Sequence, residues 1–449
     1  MSSPLYMPDD SDTPSNAPTG RATLSAERFI SPDFMEREWQ TIWPKTWLVA
    51  GPACDVAEPG DYFTFNMGRE SIIIARISKG ELAAMYNVCQ HRGARVLVND
   101  RGSLDAFVCP YHGWKYDHDG TLLDAPDTDR FSQGVPCDKL SLKHVRIESL
   151  GAMIWVCMDE DTPPLTDFLG DIPDMITPFR LDDMALAVDQ TVTLDANWKT
   201  LIDNFGELYH VEHIHPQHAL IFDCPTAVVE LFEGGHNRVL IDGFTVNSRL
   251  PIPHEPPDFQ KIQLERLGLD PEGYSGRVLD IRKDIQKAKR EKGPEFGYNY
   301  ELLTDDQLSD IVQYNIFPNT IWAVQTEELW VMRARPHPTD PNKCFWDKFT
   351  FRMDPSEDAA REANISFNPE DRDVRTGEER VEHEEFTQED VIAGKYTMTI
   401  TVDQDVHLLR DIQAGMHSRG FDACWLNDDE GRVQHFHDWV DYYISQESQ

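Results

Sequence analysis

Cys89-Gln90-His91-Arg92-Gly93 and Cys109-Pro110-Tyr111-His112-Gly113-Trp114 are the two stretches on which the fold of this chain turns. Each sets a thiol and an imidazole within a single tight turn, and 17 residues separate His91 from Cys109. Two Cys and two His on two turns offer four bonds to metal. A tetrahedral zinc ion could take them. A [2Fe–2S] cluster with Cys on one iron and His on the other could take them equally well. Spacing alone does not choose between the two.

The surroundings are β-like. Residues 47–158 consist of short apolar runs such as Tyr62-Phe63-Thr64-Phe65 and Ser71 to Ile77, punctuated by Gly60, Gly68, Gly80, Gly102, Gly113 and Gly120. That rhythm predicts a small barrel-like domain. Upstream, Ser31-Pro32 marks a helix start, with Ser as N-cap and Pro at the first helical position. Residues 1–30 read as a flexible leader, and the helix over 31–46 is assigned to the domain that occupies 159–449. Pro163-Pro164 marks the linker. The leader has no basic segment followed by an apolar one, and no run approaches the roughly 20 apolar residues of a membrane span. A cytoplasmic location is expected. The chain has 449 residues and a net charge of −38, from 41 Lys and Arg against 79 Asp and Glu. Such a charge disfavours nucleic acid and anionic membranes as partners. Much of the acid lies in residues 354–390, which read as a solvated insertion with some helix. Cys54, Cys137, Cys157, Cys224, Cys344 and Cys424 have no neighbouring His and read as core or inert thiols rather than a disulfide framework.

A second constellation lies about 100 residues further on, in Asp203-Asn204-Phe205-Gly206-Glu207-Leu208-Tyr209-His210-Val211-Glu212-His213-Ile214-His215-Pro216. The apolar stripe of residues 197–210 predicts a helix, on which Asp203, Glu207 and His210 would share one face. His215 falls off that face, so the helix must break if both His are to meet one metal. Two imidazoles and one carboxylate form the facial triad of non-heme Fe(II) oxygenases, which leaves positions open for O2. A merely solvated polar face is the alternative. His213 and His218 are the other candidates. Strands are expected over 328–334 and 345–353, and helices over 406–416 and 433–444.

Cys-x-His-Arg-Gly and Cys-x-x-His-Gly-Trp closely resemble the Rieske motif of ring-hydroxylating oxygenases, and no additional Cys stands in either loop, as it does in the Rieske proteins of respiratory complexes. Glu207, His210 and His215-Pro216 resemble the mononuclear-iron segment of the same family. The resemblance runs from roughly residue 31 to residue 444. It implies an α+β chain: a β-rich Rieske [2Fe-2S] domain, then a catalytic domain with a curved antiparallel sheet and surrounding helices of helix-grip type. It implies cluster ligands Cys89, His91, Cys109 and His112, and iron ligands His210 and His215. It places the carboxylate ligand shortly before a helix with a Gln-x-Gly pattern. Asp403-Gln404-Asp405-Val406 precedes Gln413-Ala414-Gly415, which selects Asp405, with Asp403 as alternative and a simple N-cap as a third possibility. It implies a homotrimer, with a β subunit possible, in which Glu207 carries electrons between the neighbouring chain's His112 and its own His210. Electrons would come from NAD(P)H through a ferredoxin, a reductase or both, since no flavin or nicotinamide motif is evident in the chain.

Under this resemblance the chain would use O2 to hydroxylate, dihydroxylate or oxidatively dealkylate a small organic, aromatic substrate. Ring dihydroxylases usually have Asp where this chain has Glu207, and Glu is common in members that oxidise quaternary ammonium compounds. That raises carnitine or betaine oxidation as an alternative, with Trp322, Trp330, Trp346 and Tyr314 available for an aromatic cage. A pure Rieske electron carrier is a non-enzymatic alternative, weighed down by the long second domain, and a zinc-stabilised binding protein is another. Pocket-wall candidates are Phe205, Ile221, Phe222 and Asn319.

Overall fold

The structure is a computed structural model that describes residues 23–135, 139–296, 298–353 and 380–446. The first 22 residues of the expected leader, Cys137 and most of the acidic insertion lie outside these. The chain divides into two compact units, residues 43–168 and residues 1–42 with 169–449. The division falls a few residues before 47 and later than 158 for a physical reason. Residues 159–168 are tied back to the smaller unit by Trp47 Nε1 donating to the Pro163 carbonyl at 2.8 Å, Thr162 Oγ1 to the Lys45 carbonyl at 3.0 Å and the Leu165 amide to Glu148 Oε1 at 3.1 Å.

The smaller unit holds a seven-stranded antiparallel sheet, in the order Leu48–Pro52, Met153–Cys157, His144–Leu150, Glu81–Tyr86, Glu70–Ser78, Asp61–Met67, Arg101–Ser103. Ile72, Ile73 and Ile74 are all buried, so the strand Glu70–Ser78 is covered on both faces there. A second sheet of three short strands, Phe107–Val108, Lys115–Tyr116 and Leu122–Asp124, carries the second Cys-His loop between its first two strands. Tyr62, Ile73, Met85, Phe107, Trp114 and Tyr116 form the core between them.

The larger unit is built on an eight-stranded sheet: Val228–Leu231, Asn237–Ile241, Ile311–Ile316, Thr320–Val324, Glu328–Pro336, Cys344–Met353, Met184–Leu194 and His383–Thr387. All neighbours are antiparallel except the last pair. The end of the expected acidic insertion is therefore an ordered edge strand, with Phe386 buried. Helices Pro32–Thr41, Trp198–Asn204, Ile400–Met416 and Gly431–Ser445 belong to this unit. Among the described residues no helix is long and apolar enough to cross a membrane.

Residues 23–30, expected as part of a flexible leader, are ordered. Thr23–Ser25 pairs with Ala423–Trp425, Phe29 is buried, and the Arg28 guanidinium meets Asp441 at 2.7 Å. Ser31 caps the helix Pro32–Thr41 through its hydroxyl, which accepts from the Phe34 amide. That helix is held by a buried ion pair: Lys199 Nζ lies 2.5 Å from Glu38 Oε1, with both side chains about 1% exposed, and Trp198 Nε1 donates to the second Glu38 oxygen at 3.2 Å. Removing one member of such a pair leaves an uncompensated buried charge, whereas replacing both with apolar side chains is far milder. Glu38→Ala should therefore cost about 3–5 kcal/mol in denaturant unfolding, and the double variant Glu38→Met/Lys199→Met much less. A Glu38→Ala protein unfolding at the parent's midpoint would contradict this.

Candidate active site

Asn197 caps the helix that leads into the site. Its Oδ1 accepts from the Lys199 amide at 3.0 Å, and its Nδ2 donates to the carbonyls of Phe29 and Pro341 at 3.0 and 2.7 Å. The sequence predicts this helix to run to residue 210; the structure ends it at Asn204. The Phe205 carbonyl accepts from Gln313 Nε2 at 2.5 Å, Asn315 Nδ2 at 3.3 Å and Arg432 Nη2 at 3.0 Å. These three remote donors satisfy the carbonyl outside any helical ladder. Gly206 comes next where nothing larger fits: a Cβ there would stand 2.9 Å from Val433 Cγ2 and 3.0 Å from the Asp203 carbonyl. Asp203, Glu207 and His210 consequently do not share a helical face. Asp203 instead accepts from His437 Nε2 at 3.0 Å.

Beyond the break, both Glu207 oxygens engage His210: one accepts from its backbone amide at 3.0 Å, the other lies 2.5 Å from Nδ1. A short helix, Val211–Ile214, then delivers His215 at its C-cap. Asp405 enters from the second turn of Ile400–Met416, not from ahead of the helix as the sequence predicts. The alternative, Asp403, is occupied elsewhere, accepting from the Met398 amide at 2.8 Å and from Thr397 Oγ1 at 2.5 Å. It stabilises the first helical turn, where negative charge is favoured. Gln413, two turns further along the same helix, accepts from the Asn197 amide at 2.9 Å. The helix that leads into the site and the helix that carries Asp405 are thereby joined by a direct hydrogen bond.

His215 Nε2 lies 3.0 Å and His210 Nε2 3.8 Å from Asp405 Oδ1, and the three donor atoms fall within 4.8 Å of one another. Nδ1 of His210 faces Glu207, and Nδ1 of His215 lies 2.7 Å from Gln404 Oε1. With those protons on Nδ1, both Nε2 lone pairs face the carboxylate. Asp405 Oδ1 is buried and accepts no hydrogen bond. Three electron-rich atoms with no proton between them repel one another unless a cation sits among them, and an N,N,O set with space beside it suits Fe(II). Burial acts to lower the His210 pKa, but the Glu207 hydrogen bond and charge and the Asp405 charge outweigh it and raise it. His213 is exposed and away from this cluster. His218 lines the adjoining cavity; its Nε2 lies 2.7 Å from Thr401 Oγ1, and burial, then His215, push its pKa down to about 4.

That cavity measures about 380 Å³ and is bounded by the three metal-facing side chains. Phe205, Ile221 and Phe222 line it, together with Trp330 and with Phe259 and Met332, the last two not placed there by sequence reasoning. Asn319 does not reach it. Its side chain is fully buried and donates to the Ala334 carbonyl at 2.8 Å, a cross-strand tie. Of the aromatic set proposed for a cage, only Trp330 borders the cavity, while Trp322, Trp346 and Tyr314 are core. Gln404 and Gln217 were also missed, although each is within two residues of an expected ligand.

In the smaller unit the two Cys-His loops share one backbone plan. The Cys89 and Cys109 amides donate to the carbonyls five residues on, Ala94 and Trp114, each at 2.8 Å. Gly93 and Gly113 donate back to the Cys carbonyls and take φ of +76° and +72°, a conformation open to glycine at little cost. His91 stacks on Trp114 at 4.8 Å, and its ring centroid lies 4.6 Å from that of His112. Both thiols are buried, and His91 Nδ1 is buried without a partner. The donor set thus fits two metal sites side by side. The Tyr116 hydroxyl accepts from the Gln90 amide at 3.1 Å and lies 3.3 Å from Cys89 Sγ, where it could donate to a thiolate.

Residues 46–145 match the Rieske [2Fe-2S] domain, and residues 181–446 match the catalytic domain of the ring hydroxylating alpha subunit. The glycine betaine monooxygenase oxygenase subunit of Pseudomonas aeruginosa (strain UCBPP-PA14) is 34% identical over 184 residues, 40% of this chain and 42% of that protein. The large oxygenase component of the naphthalene 1,2-dioxygenase system of Pseudomonas putida is 34% identical over 200 residues, 43% of this chain and 44% of that one. The matches span less than half the length of these relatives. Among solved structures, the quaternary ammonium Rieske monooxygenase CntA with L-carnitine aligns over 94% of this chain and 95% of its own, with a TM-score of 0.65 and 18% identity. Naphthalene 1,2-dioxygenase from Rhodococcus sp. bound to indole aligns over 95% of each, with a TM-score of 0.64 and 21% identity. These likenesses show the fold. The two domain matches and the fold together establish that the chain belongs to the ring hydroxylating alpha subunits, with a Rieske [2Fe-2S] domain ahead of the catalytic domain.

Proposed function

We propose that this chain is a terminal oxygenase that uses O2 and external electrons to oxidise a small, neutral, largely apolar molecule, an aromatic ring above all. The observation that carries this reading is the convergence of His210, His215 and Asp405 on the wall of an apolar cavity. Cys89, His91, Cys109 and His112 would hold the cluster, and His210, His215 and Asp405 the iron. Iron bound there would supply O2 activation. The chain's own side chains orient both imidazoles through Glu207 and Gln404, leave one side of the donor set facing the cavity, and hold substrate against that side while excluding bulk water. Removing a ligand costs at least as much as removing its supporting hydrogen bond, roughly 10–100-fold. His210→Ala or Asp405→Ala should therefore lower turnover beyond about 100-fold while leaving the cluster spectrum unchanged, and Asp403→Ala should be mild. Full activity and mononuclear iron in Asp405→Ala would refute the carboxylate assignment.

The cavity also supports a choice between substrate classes. Among the described residues lining it there is no Lys or Arg to match a carboxylate. Its carboxylates, Glu207 and Asp405, are both directed at the imidazoles. Trp330, the one aromatic of the expected cage that borders the cavity, has the buried Lys348 ammonium 4.4 Å from its ring centroid. A second cation on that ring would have to share its electron-rich face with the amine already seated there. Relatives named for glycine betaine and carnitine make a quaternary ammonium substrate the second reading, and this stack argues against it. Equilibrium dialysis with two isosteres decides: tert-butylbenzene should bind at least about tenfold more tightly than the trimethylanilinium ion, as an unmatched buried charge costs well over 1 kcal/mol. Equal or reversed affinities would favour the ammonium reading.

We infer further that electrons arrive from NAD(P)H through a ferredoxin or reductase in the cytoplasm, and that copies of the chain form a trimeric ring. Glu207 would link its own His210 to the partner subunit's His112. In support, Glu207 borders both the main cavity and a separate polar recess of about 180 Å³, beside exposed Tyr209 and Arg249. Glu207→Gln should leave both metals bound and slow cluster reoxidation by about tenfold or more in single-turnover mixing of reduced enzyme, substrate and O2, the loss expected when a supporting hydrogen bond is weakened. Wild-type reoxidation rates in that variant would remove the bridging role.

A further inference from the structure

We propose that Gln404 is the positioning residue for His215, and that its amide, locked by Gln217, selects Nε2 of that imidazole as the metal-facing atom. The inference rests on the proposed mononuclear site. Gln404 Oε1 lies 2.7 Å from His215 Nδ1 and accepts from Gln217 Nε2 at 2.8 Å. A single amide oxygen, with its two lone pairs, thus serves two donors. The donor from Gln217 keeps the oxygen, not the NH2 group, turned toward the imidazole. His215 must then carry its proton on Nδ1 and present a bare Nε2 to Asp405 at 3.0 Å.

Gln404 and Asp405 are consecutive on one helix, so their side chains leave its axis about 100° apart. That separation lets one turn grip His215 at both ring nitrogens, with an acceptor for the proton on one side and the carboxylate ligand on the other. Rotation of the ring would break both contacts. His215 is only 2% exposed, so its ring has little other access to an acceptor. The two imidazoles are supported unequally: His210 by a carboxylate at the edge of a second cavity, His215 by a neutral amide inside the unit. Gln217, two residues beyond His215, completes a clasp between the ligand loop and the helix that does not depend on metal.

The test uses the holoprotein with its cluster intact and its mononuclear iron stripped by chelator, then titrated anaerobically with Fe(II) alone. Gln404→Leu removes the acceptor at similar size and should weaken Fe(II) binding about 10–100-fold. It should also change the EPR signal of the ferrous–nitric oxide adduct at saturating iron, which a role confined to packing would not do. Gln404→Glu keeps an acceptor and should restore binding to near the parent value. Gln217→Leu removes only the lock and should show a smaller loss. If Gln404→Leu does not fold, judged by far-ultraviolet circular dichroism and thermal unfolding of the whole chain, Gln404→Asn withdraws the amide by one methylene and carries the same expectation. Parent-like affinity together with a parent-like nitrosyl signal in the Leu or Asn variant overturns the proposal. A parent protein that takes up no Fe(II) beyond the cluster overturns the oxygenase reading itself, so the two failures are distinct.

Discussion

Two imidazole nitrogens and a carboxylate oxygen, with no proton among them, are brought together from two segments far apart in the chain, and much of the larger unit serves that unfavourable meeting. Left to themselves these atoms would separate or take up a proton. They stay because their backbones are pinned from outside the site. The Phe205 carbonyl is held by Gln313, Asn315 and Arg432, the Asn197 amide by Gln413, and the Asn197 side chain by Phe29 and Pro341. Fixing the geometry in advance is what a binding site for a small cation requires, since repulsion among the ligands is then borne by the fold.

The sheet beneath carries a comparable load of buried charge, much of it paired. Asp347 lies 2.7 Å from Arg333 and 2.6 Å from Arg335, Glu328 3.2 Å from Arg352, and Glu327 2.9 Å from Lys289. Burial acts to raise the Asp347 pKa, yet the two guanidinium groups outweigh it and hold the carboxyl well below the usual range. These pairs fix the register of strands that also wall the cavity, so the floor under the substrate is both polar inside and rigid.

Much of the site was legible in the sequence because its chemistry is local. Both Cys-His loops close on themselves within six residues, so their wording carries their geometry. His210 and His215 lie on one short stretch for the same reason. The helix break at Phe205 was not legible, because its three donors come from residues 313, 315 and 432, and a local apolar stripe cannot reveal them. Asp405 could be chosen from the text, but its place inside a helix could not, since the first turn is set by Asp403 contacting Thr397 and Met398. Asn319 misled because the neighbouring strand, through Ala334, takes its side chain away from the cavity. Phe259 and Met332 were invisible as lining residues, as one stands on the helix Asp258–Arg266 and the other on the strand Glu328–Pro336, both far along the chain from the two His.

The paired loops of the smaller unit also have a directional consequence. His91 is half-buried, covered by Trp114 on its face and by Phe131 on its edge, while His112 and Tyr111 are exposed. On the proposed ligation, only one imidazole of the cluster reaches the outside. The cluster is then a room with a single door. In the proposed ring the neighbouring chain would stand at that door, so discharge would run through His112 and supply would have to enter through the cluster's other coverings.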